Sequence, residues 1–190
     1  MNRERELKYA AQSSEPPRLP RGWSLGPERA VAEIIDTYLD HAATLIKRGW
    51  ALRRRETVGA PTRYTLKRNS QHVGAFHQRD EIELESDQIP AEIAHEIGPM
   101  LASELRQVVT MRQRRRSWPL LLNGSVVADL TTDEIQSGNA RWIELEVEFV
   151  RSVSDADATT MATDLQTFFA GDETLTPSRR SKLEAAIAAL

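Results

Sequence analysis

Arg3-Glu4-Arg5-Glu6-Leu7-Lys8-Tyr9 stands near the start of the sequence. Read with the period of two of a β-strand, it sets Glu4, Glu6 and Lys8 along one face. Two carboxylates and an ammonium in line are a poor surface for a hydrocarbon core. They suit a divalent cation and the phosphate that such a cation carries. In a lone strand the pattern would mean no more than a solvated edge. Here it recurs along the chain.

Residues 142–150 alternate most strictly, with Glu144, Glu146 and Glu148 on one side and Ile143, Leu145, Val147 and Phe149 on the other. Residues 50–56 set Arg53 and Arg55 opposite Trp50, Leu52 and Arg54. Across a Gly59–Pro61 turn, residues 63–68 set Thr65 and Lys67 opposite Tyr64 and Leu66. Residues 79–85 place Arg79, Glu81, Glu83 and Glu85 against Ile82 and Leu84. In residues 108–118 the arginines Arg112, Arg114 and Arg116 are read as one face, with Val109 and Met111 opposite. A turn at Asn123-Gly124 leads to residues 126–131, where Asp129 faces away from Ala128 and Leu130. Residues 32–40 are rich in strand formers, with helical spacing as the alternative.

Between these segments the signals are ordinary. Residues 12–27 hold six prolines and glycines beyond a Ser13-Ser14 pair and read as a long loop, which Trp23 and Leu25 would pin to the body. A short helix or turn over 41–48 stops at Gly49, and His41 reads as a turn residue. Pro90 opens a predicted helix to about residue 105, packing through Ile93, Ile97, Leu101 and Leu105, with His95 outside. Two more helices end the sequence. The first spans 155–169, with Met161, Leu165, Phe168 and Phe169 on its stripe. The second is capped by Thr176-Pro177 and packs through Leu183, Ile187 and Leu190.

Composition sets the bounds. At 190 residues and 40% hydrophobic content the chain reads as one domain, with strands over 1–150 and helices over 151–190. No apolar run approaches the length of a membrane span, and the charged N-terminus lacks a secretory signal. There is no cysteine, so no disulfide or thiolate site, and a cytoplasmic location is expected. The net charge of −3, from 25 basic and 28 acidic side chains, disfavours a general nucleic-acid binder.

The plain reading of the charged faces is a solvated antiparallel sheet over apolar helices. It leaves unexplained why Ser, Thr, Asn and Gln are scarce there, and why like charges stand two residues apart. Curling the strands into a barrel with a polar lumen accounts for both, since acid-rich strands beside base-rich ones would hold a metal and a polyanion.

In that order the motifs resemble the CYTH superfamily, the triphosphate tunnel metalloenzymes, over residues 1–150. The matching pieces are E-x-E-x-K at Glu4, Glu6 and Lys8, then Tyr38-Leu39-Asp40. Gly49 to Arg55 matches G-x-A-L-R-x-R, and Thr65 to Lys67 matches T-L-K. Arg79 to Glu83, Arg112 to Arg116 and Glu144 to Glu148 complete the set. The tail from Ser178 is similar to the serine- and lysine-containing helix of the bacterial inorganic triphosphatase type, here without the CHAD domain. His41-Ala42-Ala43 departs from the usual Thr-x-Asp. The short lead before Glu4 departs from the class IV adenylate cyclases.

The resemblance implies an α+β, mainly antiparallel fold: a closed eight-stranded β-barrel tunnel with flanking helices. It implies a metal-dependent hydrolase of inorganic triphosphate or a small triphosphate ester. Lys8, Arg53, Arg55, Lys67, Arg79, Arg112 and Arg114 would grip phosphate, with Glu81 and Glu83 on the opposite wall. Glu4, Glu6, Glu144, Glu146, Glu148 and Asp129, or Asp133 in its place, would bind Mg²⁺ or Mn²⁺. Glu4, Glu6, Lys8 and Arg55 would form the catalytic set. The alternatives are thiamine triphosphatase or class IV adenylate cyclase-like activity, or a non-catalytic polyphosphate-binding module. Neither nucleic acid nor membrane is an expected partner, and the chain would be a monomer or homodimer.

Overall fold

The computed structural model describes residues 2–188. In chain order the strands are β1 (Asn2–Ala11), β2 (Trp23–Leu25), β3 (Ala32–Asp40), β4 (Ala51–Thr57), β5 (Arg63–Val73), β6 (Phe76–Glu85), β7 (Arg106–Leu122), β8 (Ser125–Ser137), β9 (Ala140–Phe149) and β10 (Leu175–Pro177). The helices are α1 (Thr44–Lys47), α2 (Ala91–Ile97), α3 (Pro99–Glu104), α4 (Asp155–Phe169) and α5 (Lys182–Ile187). Eight strands pair in the order β1-β6-β5-β4-β3-β7-β8-β9, every pair antiparallel, and β9 pairs back onto β1. The ring closes on β1, which pairs with β6 through residues 2–7 and with β9 through residues 6–11.

Alternation gives β1, β4, β5, β6 and β9 outer apolar rows, and helices cover those rows. Leu7, Tyr9, Leu145, Val147 and Phe149 lie under α4, which meets them with Ala158, Ala162, Leu165 and Phe169. Leu52, Tyr64, Leu66 and Ile82 lie under Ile93 and Ile97 of α2 and Leu105. A large apolar side chain buried this way stabilises the fold by about 1.5–3 kcal/mol, so the two covers hold the ring in shape.

The third cluster is turned the other way. Tyr38, Val109, Met111 and Ile135 face the lumen and pack against Leu183 and Ala186 of α5. Helix α5 therefore plugs one end of the ring. Its cap is a capping box: the Ser181 hydroxyl accepts from the Glu184 backbone N–H, and the Glu184 carboxylate accepts from the Ser181 N–H. Thr176 and Pro177, expected as that cap, instead belong to β10 on the edge of β1. Of the expected packing residues Leu183 is buried and Ile187 is half exposed, while Leu190 lies outside the described residues.

Several boundaries differ from the sequence reading. The single helix expected over 90–105 is two, because Gly98 sits at φ +99° between Ile97 and Pro99 and breaks the hydrogen-bond ladder. On α4 the buried stripe runs through Ala158, Ala162, Leu165 and Phe169, and Phe168 is exposed. Trp23 and Leu25 do pin the long loop, as β2 on β7. Asn123 and Gly124 both take positive φ (51° and 82°), the geometry of a two-residue hairpin between β7 and β8. Among the described residues no helix is long and apolar enough to cross a membrane.

Candidate active site

Inside the ring the charged rows converge on a cavity of about 270 Å³. Among the described residues, nine cationic side chains and six carboxylates line it. One mouth is open, rimmed by Arg63, Arg151 and Glu148; α5 stands at the other, with Lys182 reaching into the cavity.

Strand β1 supplies the centre. Glu4 accepts from Lys67 at 2.6 Å and from Arg79 Nε at 2.5 Å. Arg79 also donates to Glu6. Lys8 lies 3.0 Å from Glu146, 3.6 Å from Glu144 and 3.7 Å from Glu6. Burial works against the charge on Lys8, yet Glu146, Glu144 and Glu6 outweigh it and raise the ammonium's pKa. For Glu4, burial is likewise outweighed, by Arg79 and Lys67, and its carboxyl is held well below the usual range.

Two wholly buried aspartates stand behind the cationic wall. Asp36 on β3 takes two parallel bonds from Arg55 at 2.7 Å, and Gln113 donates to it at 2.5 Å. Arg53 lies 3.7 Å away and donates to Thr65 at 3.1 Å. Asp133 on β8 takes two bonds from Arg115, at 2.7 and 2.6 Å, and one from Lys182 at 2.7 Å. Burial would raise its pKa, but Arg115 and Lys182 prevail and bring it down to about 2. Such forks fix the planes of the guanidiniums and leave their outer N–H groups turned to the cavity.

Glu146 is the point where the walls meet, 2.9 Å from Lys182, 3.0 Å from Lys8 and 3.2 Å from Arg115. Glu148 differs: among the described residues no ion pair reaches it. It opens to solvent at the mouth, but the protein packed around its carboxyl, with the charges of Glu4, Glu6 and Glu81, pushes its pKa up to about 7.

No family description matches the chain by sequence, and no curated protein matches it. Solved structures do. An adenylyl cyclase-type protein from Hippeastrum with a dominant triphosphatase activity superposes with a TM-score of 0.72 at 18% identity, over 98% of this chain and 96% of that one. A protein of Pyrococcus horikoshii OT3 gives 0.63 at 21% identity, over 98% and 99%. The mimivirus capping enzyme triphosphatase gives 0.53 at 11% identity, over 89% and 88%.

The chain has the CYTH tunnel fold.

Within the tunnel, Glu4, Glu6, Lys8, Arg53, Arg55, Lys67, Arg79, Glu81, Glu83, Glu146 and Glu148 all line the cavity. Glu144 is buried just behind, 3.6 Å from Lys8. Arg112 and Arg114 do not join them. They stand on the outer face of β7, exposed, and Arg116 is held outside by Glu15 and Glu28. The inward residues of β7 are Val109, Met111, Gln113 and Arg115, one position out of phase with the expectation. The cause is α5: it makes one end of the lumen apolar, so Val109 and Met111 belong inside. Asp129 is the second correction. It pairs with Arg29 at 2.7 Å near the tunnel rim and is half-buried, while Asp133 is the buried lumen acid of β8.

The tunnel also holds residues that the sequence reading passed over: Asp36, Gln113, Arg115, Arg63, Arg151 and Lys182. Arg63 shares the phase of Thr65 and Lys67, a signal that was present. Asp36 sits among apolar neighbours, and Arg151 follows a strand end; neither is marked locally.

Proposed function

We propose that the chain hydrolyses the phosphoanhydride bond of inorganic triphosphate or a small triphosphate ester, with Mg²⁺ or Mn²⁺. The observation that carries this is the cavity lining, a surplus of guanidiniums and ammoniums facing a row of carboxylates. Cations alone would bind a polyanion; the carboxylates would serve it only through a metal. Tyr38 is the sole aromatic lining residue among those described, so the lumen offers no stacking box for a nucleobase.

The acids fit a hard divalent cation in type and place. Glu4 and Glu6 on β1 neighbour Glu146 and Glu148 on β9, with Glu6 opposite Glu148 in register. Buried Glu144 Oε2 has no hydrogen-bond partner, and Glu148 has no counter-ion among the described residues. As the side chains stand, no three of the described acids or histidines form a chelating group, because most are turned onto lysines and arginines. Glu4, Glu6, Glu146 and Glu148 would hold the cation, which when bound neutralises phosphate charge and polarises water.

The chain's own residues do the rest. Arg53 and Arg55, braced by Asp36, and Arg115, braced by Asp133, clamp phosphate oxygens, with Lys8 and Lys67 as point charges between them. Oxygen from water bonds to the terminal phosphorus. The bridging P–O bond breaks, diphosphate leaves with the electron pair, and one proton is released. Charge accumulates on equatorial and leaving oxygens that the clamp already faces.

The test is phosphate release from triphosphate, thiamine triphosphate and ATP with Mg²⁺ or Mn²⁺, beside Glu146→Gln. Release that collapses in the variant supports the reading. Cyclic AMP from ATP would move it to a cyclase, and tight binding without release to a polyphosphate-binding module.

A further inference from the structure

At the α5 end a second cavity of about 260 Å³ adjoins the first, between α5 and the ends of β4, β5 and β6. The two share Lys67, Arg79, Ala51, Ser181 and Leu183, so Lys67 and Arg79 form a partition with one side in each. Beyond the partition the far chamber presents Arg179, His72, buried His77 and Ser70. His77 is anchored by its Nε2 contact with the Ser178 carbonyl at 2.8 Å, and His72 lies beside it, ring centroids 5.7 Å apart.

Its chemistry differs from that of the lumen. The one lining carboxylate among the described residues is Glu184, which is committed to the Ser181 backbone N–H and hydroxyl at 2.7 and 2.9 Å. No acid is left over to hold a divalent cation. Trp50 borders the chamber, but Arg48 and Arg68 lie over its ring at 5.7 Å each, so it offers little stacking surface to an aromatic ligand. What remains is a cationic, imidazole-bearing pocket suited to a small oxyanion.

We propose that the far chamber is a metal-free phosphate site that receives the orthophosphate formed in the lumen, giving the tunnel an exit separate from its open mouth. The role as an exit rests on the triphosphatase reading; the site itself does not. Arg79 and Lys67 each bridge lumen and chamber. Both hold Glu4, so an orthophosphate cut loose from diphosphate would pass by drawing these two cations from that acid, and it would avoid Glu148 at the mouth.

The experiment is calorimetric titration of the full chain with inorganic phosphate in EDTA. The variants are Arg179→Ala with His72→Ala, both exposed and outside the lumen, the charge reversal Arg179→Glu, and the lumen variant Arg53→Ala. We expect one phosphate per wild-type chain, at least tenfold weaker binding in both chamber variants, and binding within threefold of wild type in Arg53→Ala. In turnover assays, added phosphate should inhibit noncompetitively against triphosphate, and the double variant should relieve that inhibition while keeping its KM. Absence of binding to the wild type overturns the proposal. So does loss in Arg53→Ala with retention in the double variant, which would put the phosphate in the lumen. Competitive inhibition, unrelieved in the double variant, removes the exit role. Because calorimetry needs no turnover, a protein that binds phosphate here but cleaves no triphosphate would refute the activity and leave the site standing.

Discussion

Arg55 donates from Nε and Nη2 to the two oxygens of Asp36, both at 2.7 Å, and Asp36 is wholly out of solvent. The relationship puts a negative charge behind the substrate wall, where it aims cations without repelling phosphate at close range. Arg53 raises the stakes, since a second guanidinium shares the same acid at 3.7 Å. Asp36→Asn keeps the shape and removes the charge. Breaking a buried pair in this way costs about 3–5 kcal/mol, or roughly ten degrees of Tm in a chain of this size. We expect that loss together with at least a tenfold fall in kcat/KM. Chemical denaturation and steady-state kinetics measure the two, and a variant as stable and active as wild type would show that lumen water alone supports these arginines.

The phase of β7 gives a sharper test, because two sets of arginines on one strand should behave oppositely. Arg115 contacts Asp133 and Glu146 inside, while Arg112 and Arg114 are on the outer surface. Arg115→Ala should cut turnover at least tenfold. Arg112→Ala with Arg114→Ala should leave turnover within about twofold and stability within about 0.5 kcal/mol, as for exposed positions generally. The reverse result in the same assay would return the outer pair to the site.

That strand also shows where local sequence stops being enough. For β1, β4 and β9 the charged row is unbroken, so alternation reads the inner face directly, down to Glu4, Arg53 and Glu146. On β7 the inner row changes character midway, from Val109 and Met111 to Gln113 and Arg115. The change is dictated by Leu183, more than seventy residues away in sequence, lying against the apolar half. No window around β7 contains that information. Asp36 was hidden for a related reason: its partner lies on β4, and a lone acid in an apolar strand carries no periodicity. The Ser181 cap, by contrast, was open to reading, since Ser181 and Glu184 have the spacing of a capping box.

The carboxyl of Glu148 sets a pH dependence whose sign can be worked out. In the unfolded chain its pKa is that of an ordinary glutamate, about 4.3; folded, it is raised to about 7 by the protein around it and by Glu4, Glu6 and Glu81. A raised carboxyl binds its proton more tightly in the fold, so its contribution to stability is present below the unfolded value and is lost as pH rises through about 7. Glu4 and Asp133, held low, change mainly in acid and stay ionised over this window. Without metal, Glu148→Gln should therefore gain Tm relative to wild type between pH 5 and pH 8, by a couple of degrees given solvent access at the mouth. The difference should shrink when Mg²⁺ or Mn²⁺ is added, which lowers the acid's pKa. A Tm difference independent of pH would show that this carboxyl does not titrate in the window.

Ligand-induced stabilisation examines the whole site without relying on turnover. Lys67, Arg79 and Glu4 satisfy one another, as do Lys8, Lys182 and Glu146, so a polyphosphate has to displace existing pairs to bind. It succeeds only by matching several cations at once. A ligand that binds the folded state alone adds RT ln(1 + [L]/Kd), about 2.7 kcal/mol at a hundredfold excess over Kd. In a chain of this length that corresponds to roughly 5–10 °C. Inorganic triphosphate, with Ca²⁺ or without metal to prevent turnover, should give a shift of that order. Equimolar orthophosphate should give less, since one phosphate cannot span from Arg53 and Arg55 to Lys8. Chloride at matched ionic strength should give little, because screening lacks the forked geometry. Arg53→Ala with Arg55→Ala should remove most of the triphosphate shift while the unligated protein still melts cooperatively. Equal shifts from triphosphate and chloride, or an undiminished shift in the double variant, would mean that the lumen is not where triphosphate binds.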